Sequence, residues 1–114
     1  MLIVGASKGE NVQLTCVINS YPLPRRFFWK FENSEESVEI EQSKFNNNGT
    51  KSILSFSTAS DHDYGSLSCW AKNEIGVQST PCIFQLILAG NFQIYIKAIL
   101  KFKISFNSQD HHLL

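Results

Sequence analysis

Short segments in which apolar and polar residues alternate, each closed by a turn signal, recur along the first ninety residues of this 114-residue chain. A period of two puts successive side chains on opposite faces of an extended strand, whereas an amphipathic helix needs a period near 3.6. Val12, Leu14, Cys16 and Ile18 share one parity, with Asn11, Gln13 and Thr15 on the other. The following Tyr21-Pro22-Leu23-Pro24 reads as a loop, because proline lacks the amide that a strand ladder needs. From Arg25 to Phe31 a second segment puts Phe27, Trp29 and Phe31 on one face and Arg26, Phe28 and Lys30 on the other. The polar, acidic stretch from Asn33 to Glu41 reads as a loop or a weak edge strand, and Asn46-Asn47-Asn48-Gly49 as a turn. Further strands are expected over Lys51–Ser57, with Leu54 and Phe56 inward, and over Ser66–Asn73, with Leu67, Cys69 and Ala71 sharing the buried parity. A hairpin at Asn73-Glu74-Ile75-Gly76 leads into a last strand from Val77 to about Leu88. Seven or eight short strands without a substantial helix predict an all-β chain folded as two packed sheets.

Composition narrows the function classes. Apolar residues make up 43% and charged residues 18%, enough to bury one core in one domain. The formal net charge is zero, divided into seven basic and nine acidic groups over residues 1–90 and three against one over residues 91–114. Neither half has the basic excess of a nucleic-acid binder. The three cysteines, Cys16, Cys69 and Cys82, form no CxxC pair and have no histidine at ligand spacing, which argues against a structural zinc site. Two can pair, leaving one over. The opening MLIVGAS lacks the basic leader and apolar length of a secretory signal, and the apolar run Ile83–Ala89 is far short of the roughly 20 residues that span a bilayer. Any signal or membrane anchor of an extracellular form is therefore expected outside this chain.

Cys16, Trp29 and Cys69, separated by 13 and 40 residues, occur in the order found in immunoglobulin-like domains. Asp63-Tyr64-Gly65-Ser66-Leu67-Ser68-Cys69 resembles that family's D-x-G-x-Y-x-C signature, and Ala71-Lys72-Asn73-Glu74-Ile75-Gly76 resembles the A-x-N-x-x-G hairpin of intermediate-set (I-set) domains. The resemblance covers residues 2 to 90. It implies an antiparallel two-sheet sandwich with Greek-key connections, a Cys16–Cys69 disulfide in an oxidising compartment, and Trp29, Leu67 and Asp63 as structural core positions. The reduced alternative, two core thiols as in intracellular muscle domains of this fold, stays open. The pattern departs from the family at Leu67, where a tyrosine usually supplies a corner hydrogen bond, so the corner is expected to be held without a phenolic hydroxyl. Cys69-Trp70, Asn73-Glu74-Ile75-Gly76 and Pro81-Cys82-Ile83-Phe84 are similar to membrane-proximal domains of the Sidestep group of insect axon-guidance receptors. That similarity implies a module of a cell-surface receptor on the extracellular side of the plasma membrane. Its partner would be another immunoglobulin-superfamily protein, Beat-like in this group.

Several residues remain as site candidates, each with a plainer alternative. Cys82 shares parity with Phe84 and Leu86 and is either an interdomain thiol or a small buried apolar residue. Asn48-Gly49-Thr50 is a glycosylation sequon in a turn. Phe28 and Trp70, with Arg26, Lys30 and Lys72 beside them, form a candidate partner face, unless the tail, a glycan or a neighbouring strand covers them. Glu32, Glu35, Glu36, Glu39 and Glu41 either meet a basic partner or form a solvated edge. Asp61, His62 and Asp63 belong to a turn, and no nucleophilic triad or carboxylate pair is evident, so no enzyme activity, cofactor, metal or small-molecule substrate is expected. His111 and His112 read as solvent-exposed. Beyond Gly90, Phe92, Ile94, Ile96, Ala98, Leu100, Phe102, Ile104 and Phe106 alternate opposite Lys97, Lys101 and Lys103. This 91–114 tail reads as a product of truncation or alternative splicing, as a strand on an open sheet edge, or as a basic amphipathic membrane segment. Three functions stay in play: protein recognition in adhesion or guidance, a structural spacer, and a secreted decoy.

Overall fold

The computed structural model describes residues 1–78 and 80–89 and the backbone of residues 101–105. Its strands are β1 (Leu2–Ala6), β2 (Asn11–Asn19), β3 (Arg26–Glu32), β4 (Ser37–Glu39), β5 (Phe45–Asn48), β6 (Lys51–Ser57), β7 (Gly65–Lys72), β8 (Cys82–Leu88) and β9 (Lys101–Ser105). A five-stranded sheet has the order β1-β8-β7-β3-β4, and a four-stranded sheet the order β5-β6-β2-β9. The chain passes between sheets at β1–β2, β2–β3, β4–β5 and β6–β7, the crossings of an all-β Greek-key sandwich. Parity sets the packing. Val12, Leu14, Cys16 and Ile18 of β2 and Phe27, Trp29 and Phe31 of β3 are buried against Leu67, Cys69 and Ala71 of β7 and Cys82, Phe84 and Leu86 of β8.

The sheets are mixed rather than purely antiparallel, because each carries one parallel edge pair. β1 runs parallel to β8, from Leu2 opposite Phe84 to Ala6 opposite Leu88. Residues 101–105 of the tail run parallel to β2, from Thr15 opposite Lys101 to Asn19 opposite Ser105. Of the tail readings, a strand on an open edge describes this pairing; residues 90–100 and 106–114, with His111 and His112, lie outside the described residues. The last long strand also starts later than its alternation implies. Val77 makes only an isolated bridge to Lys72, and β8 begins at Cys82. Between them Gln78 folds back on β7: its amide donates to the Ala71 carbonyl, and its Oε1 accepts from the Ala71 amide at 3.1 Å.

Two links tie the sheets at one level. The Cys16–Cys69 disulfide joins β2 to β7 with Cα atoms 6.5 Å apart. Beside it the Trp29 indole Nε1 donates to the Ser52 hydroxyl at 2.8 Å, joining β3 to β6. Ser52 lies opposite Cys16 in the β2–β6 register, and Trp29 lies opposite Cys69 in the β3–β7 register. The indole also stacks on Phe84, with centroids 5.8 Å apart.

Asp63, expected among the core positions, is half-buried instead. It closes a capping box on the 3-10 turn Asp61–Asp63: its carboxylate accepts from the Ser60 amide at 2.9 Å, and the Ser60 side chain pairs with the Asp63 backbone. A phenolic hydroxyl is used at a different place, three residues before Leu67 and onto another strand. Tyr64 donates its hydroxyl to the Ala6 carbonyl at 2.8 Å, latching the start of β7 onto the end of β1. Next to it, a side chain at Gly65 would run into the Glu32 carbonyl oxygen, so β7 and β3 approach this closely only with glycine there.

Replacing Ser52 by Ala strands the indole N–H in a fully buried site, which costs about 1–3 kcal/mol. The urea midpoint of the oxidised S52A chain is expected to fall accordingly with an unchanged m-value. An unshifted midpoint would show that the Trp29–Ser52 bond is not a structural tie.

Candidate functional site

On the outer face of the five-stranded sheet, the central strands β3 and β7 place Phe28 opposite Trp70 and Arg26 opposite Lys72. The two rings are nearly parallel, at 15°, with centroids 5.5 Å apart. The Arg26 guanidinium lies 5.0 Å from the Phe28 centroid, extending the stack to three layers. Its orientation is fixed from the side: with the Gln42 amide oxygen facing it, Arg26 Nη2 and Nε donate at 2.8 and 3.0 Å. Both rings are half-buried, while Arg26 and Lys72 are exposed. Lys30 approaches Glu32 at 3.4 Å, an exposed pair of little energetic weight. Among the described residues no carboxylate forms a salt bridge with Arg26 or Lys72. The five residues singled out from parity thus form one contiguous aromatic patch with a cationic margin.

A groove of about 670 Å³ opens on another side, between β4 and β6. Phe31 and Phe56 stack in its floor with centroids 5.4 Å apart, and Glu36, Glu39 and Glu41 stand on its rim beside Lys44. All three glutamates are exposed.

The turn residues that invite a catalytic reading are engaged in structural contacts. Asp61 forms a 2.8 Å ion pair with Lys8, a hydrogen-bonded contact that lowers the carboxyl pKa and raises that of the ammonium. His62 Nδ1 lies 3.8 Å from Glu35, and Asp63 caps its turn. Asn73 is buried and bonded on both sides: Oδ1 accepts from the Ile75 and Gly76 amides, and Nδ2 donates to the Pro22 carbonyl at 2.9 Å. It pins the β7–β8 connection to the loop after β2, a role visible beforehand only as the N of A-x-N-x-x-G.

A family model described as "Immunoglobulin domain" matches residues 3–73, more than half of the chain. The chain belongs to the immunoglobulin domain family. A solved structure similar to this domain is the "Twitchin kinase region from C.elegans (Fn31-NL-kin-CRD-Ig26)", with a TM-score of 0.56 and 18% identity. The similarity covers 76% of this chain and 15% of that one, so it extends to the fold alone and reaches a small part of the larger protein. Immunoglobulin domains generally serve protein–protein interaction and are generally not enzymes.

Asn48 is exposed at the end of β5, next to Gly49 at a φ of 62° and Thr50, and so lies in the other sheet from the Phe28–Trp70 stack. Cys82, left open between an interdomain thiol and a small buried apolar residue, is fully enclosed within this domain. Burial pushes its thiol up to about 12 from an ordinary 9.0.

The stack and the core tryptophan should separate in stability. Trp29→Ala is expected to cost about 3–5 kcal/mol, whereas Trp70→Ala or Phe28→Ala removes a half-buried pair and costs about 1 kcal/mol. Denaturant unfolding of the three variants checks this; a Trp70→Ala cost as large as that of Trp29→Ala would make the outer face part of the structural core.

Proposed function

We propose that this immunoglobulin domain is an extracellular recognition module of a cell-surface protein, and that it binds a protein partner through the outer face of its five-stranded sheet. The observation that carries the reading is the guanidinium–phenyl–indole stack of Arg26, Phe28 and Trp70 with Lys30 and Lys72 on its margin. Aromatic and arginine side chains are enriched as interface anchors because they bury large rigid surfaces at low conformational cost. Arg26 and Lys72, which form no salt bridge with a carboxylate among the described residues, favour a partner whose contact surface is acidic at its rim and apolar at its centre. The disulfide supports an oxidising compartment, and the exposed Asn48 sequon is a proposed glycan site that leaves the stack uncovered. Within this reading the motifs around Cys69 and Cys82 favour an I-set module of a Sidestep-like guidance or adhesion receptor with an immunoglobulin-superfamily partner.

The test is a binding screen of the secreted, oxidised chain against immunoglobulin-superfamily ectodomains, with Trp70→Ala and Phe28→Ala in parallel. A partner that binds the wild-type chain and loses roughly 30-fold affinity on Trp70→Ala supports the reading, since an anchor residue is worth about 2 kcal/mol or more. Full binding by both variants would move the interface off this face. If intact mass before and after reduction showed no disulfide and no glycan in the secreted chain, the extracellular assignment would fail.

A further inference from the structure

Cys82 has a closer relation to the disulfide than a spare core residue requires. Its sulfur lies 3.6 Å from Cys16 Sγ. Cys69 and Cys82 are opposite one another in the antiparallel β7–β8 register, so two cysteines on adjacent strands of one sheet face the single Cys16 of the other. All three are fully buried, and the chain contains no further cysteine. Shifting the bond from Cys69 to Cys82 moves its far end by one inter-strand spacing, about 4.8 Å, and leaves β2 still fastened to the same sheet.

We infer that Cys16, Cys69 and Cys82 form an internal thiol–disulfide exchange site, in which the inter-sheet bond can pass from Cys16–Cys69 to Cys16–Cys82. The Cys82 thiolate attacks Cys16 Sγ, the Cys16–Cys82 bond forms as the Cys16–Cys69 bond breaks, and the electron pair leaves on Cys69 sulfur. The proton given up by Cys82 is taken by Cys69. One disulfide and one thiol are present before and after, so no external oxidant or reductant is consumed. Position selects Cys16 as the sulfur attacked, and the released thiol is therefore Cys69. The dry core holds Cys82 protonated at neutral pH, which keeps the exchange slow in the closed domain and makes it dependent on alkaline pH or on opening of β8. The domain can in this way keep its cross-sheet bond in either of two pairings.

The test uses the full oxidised chain without added thiol, held folded at pH 8, 9 and 10 with near-UV circular dichroism as the check on packing. Samples are quenched in acid, unfolded, labelled with a maleimide at mildly acidic pH and mapped by peptide mass spectrometry. The expected result is label moving from Cys82 to Cys69, at a rate rising about tenfold per pH unit as the thiolate fraction grows. Label confined to Cys82 at every pH would overturn the exchange. Label reaching Cys16 as readily as Cys69 would also overturn it, since that is scrambling without positional selection. A second arm needs no exchange: Cys69→Ala should still lose 2 Da on oxidation by forming Cys16–Cys82, as the two-hydrogen mass of one disulfide requires. Two free thiols in that variant, with circular dichroism showing a folded chain, would refute the shared role of Cys16.

Discussion

The sandwich depends on a four-residue square at its centre. Cys16 and Ser52 are neighbours in one sheet, Trp29 and Cys69 are neighbours in the other, and each pair is tied across by one bond, covalent between the cysteines and polar between indole and hydroxyl. The covalent tie restricts the unfolded chain by closing a long loop, while the polar one satisfies an N–H that a large buried ring brings into the core. Because both links sit at one level of the strands, they fix the spacing and the register of the two sheets together. The inward parities of β2, β3, β6 and β7 follow from that alignment, and so does what each strand presents outward.

That coupling explains why the outer face is organised without being part of the core. Trp29 and Phe28 are adjacent on β3, and Cys69 and Trp70 are adjacent on β7, so placing the inner pair places the outer pair by the pleat alone. The rings of Phe28 and Trp70 need no further support to meet. The arginine above them does, and it comes from outside the sheet: Gln42, in a 3-10 turn, holds the guanidinium in place. The aromatic patch is therefore a two-strand feature completed by a loop residue.

Much of this was legible in the sequence because a period of two reports strand faces directly. The inward sets of β2, β3, β6 and β7, the Phe28–Trp70 parity and the burial of Cys82 all follow from alternation. What escaped has a common physical cause. β1 carries a run of apolar and small residues and no alternation, since its place is set by parallel pairing with β8. Ser52 has inward parity, but its bond to Trp29 is a relation between strands of different sheets. The Tyr64 latch joins residues 58 positions apart, and the approach of Cys82 to Cys16 spans 66. Local pattern gives direction; such partners appear only once the sheets are stacked. Asp63 was misplaced for the opposite reason, because its part in a recurrent motif is a polar cap on a turn and not a buried contact.

The parallel pairing of β1 with β8 also governs how the domain would carry a mechanical load. Tension that draws the start of β1 and the end of β8 apart acts along the strand axes. The five residue pairs from Leu2–Phe84 to Ala6–Leu88 are then sheared together instead of being peeled one after another. The Tyr64 hydroxyl on the Ala6 carbonyl adds a crossbar at the end of that clamp, and the disulfide behind it limits how far the chain can lengthen if the clamp slips. A module with this geometry transmits force along its long strands with little extension until the whole clamp gives way at once.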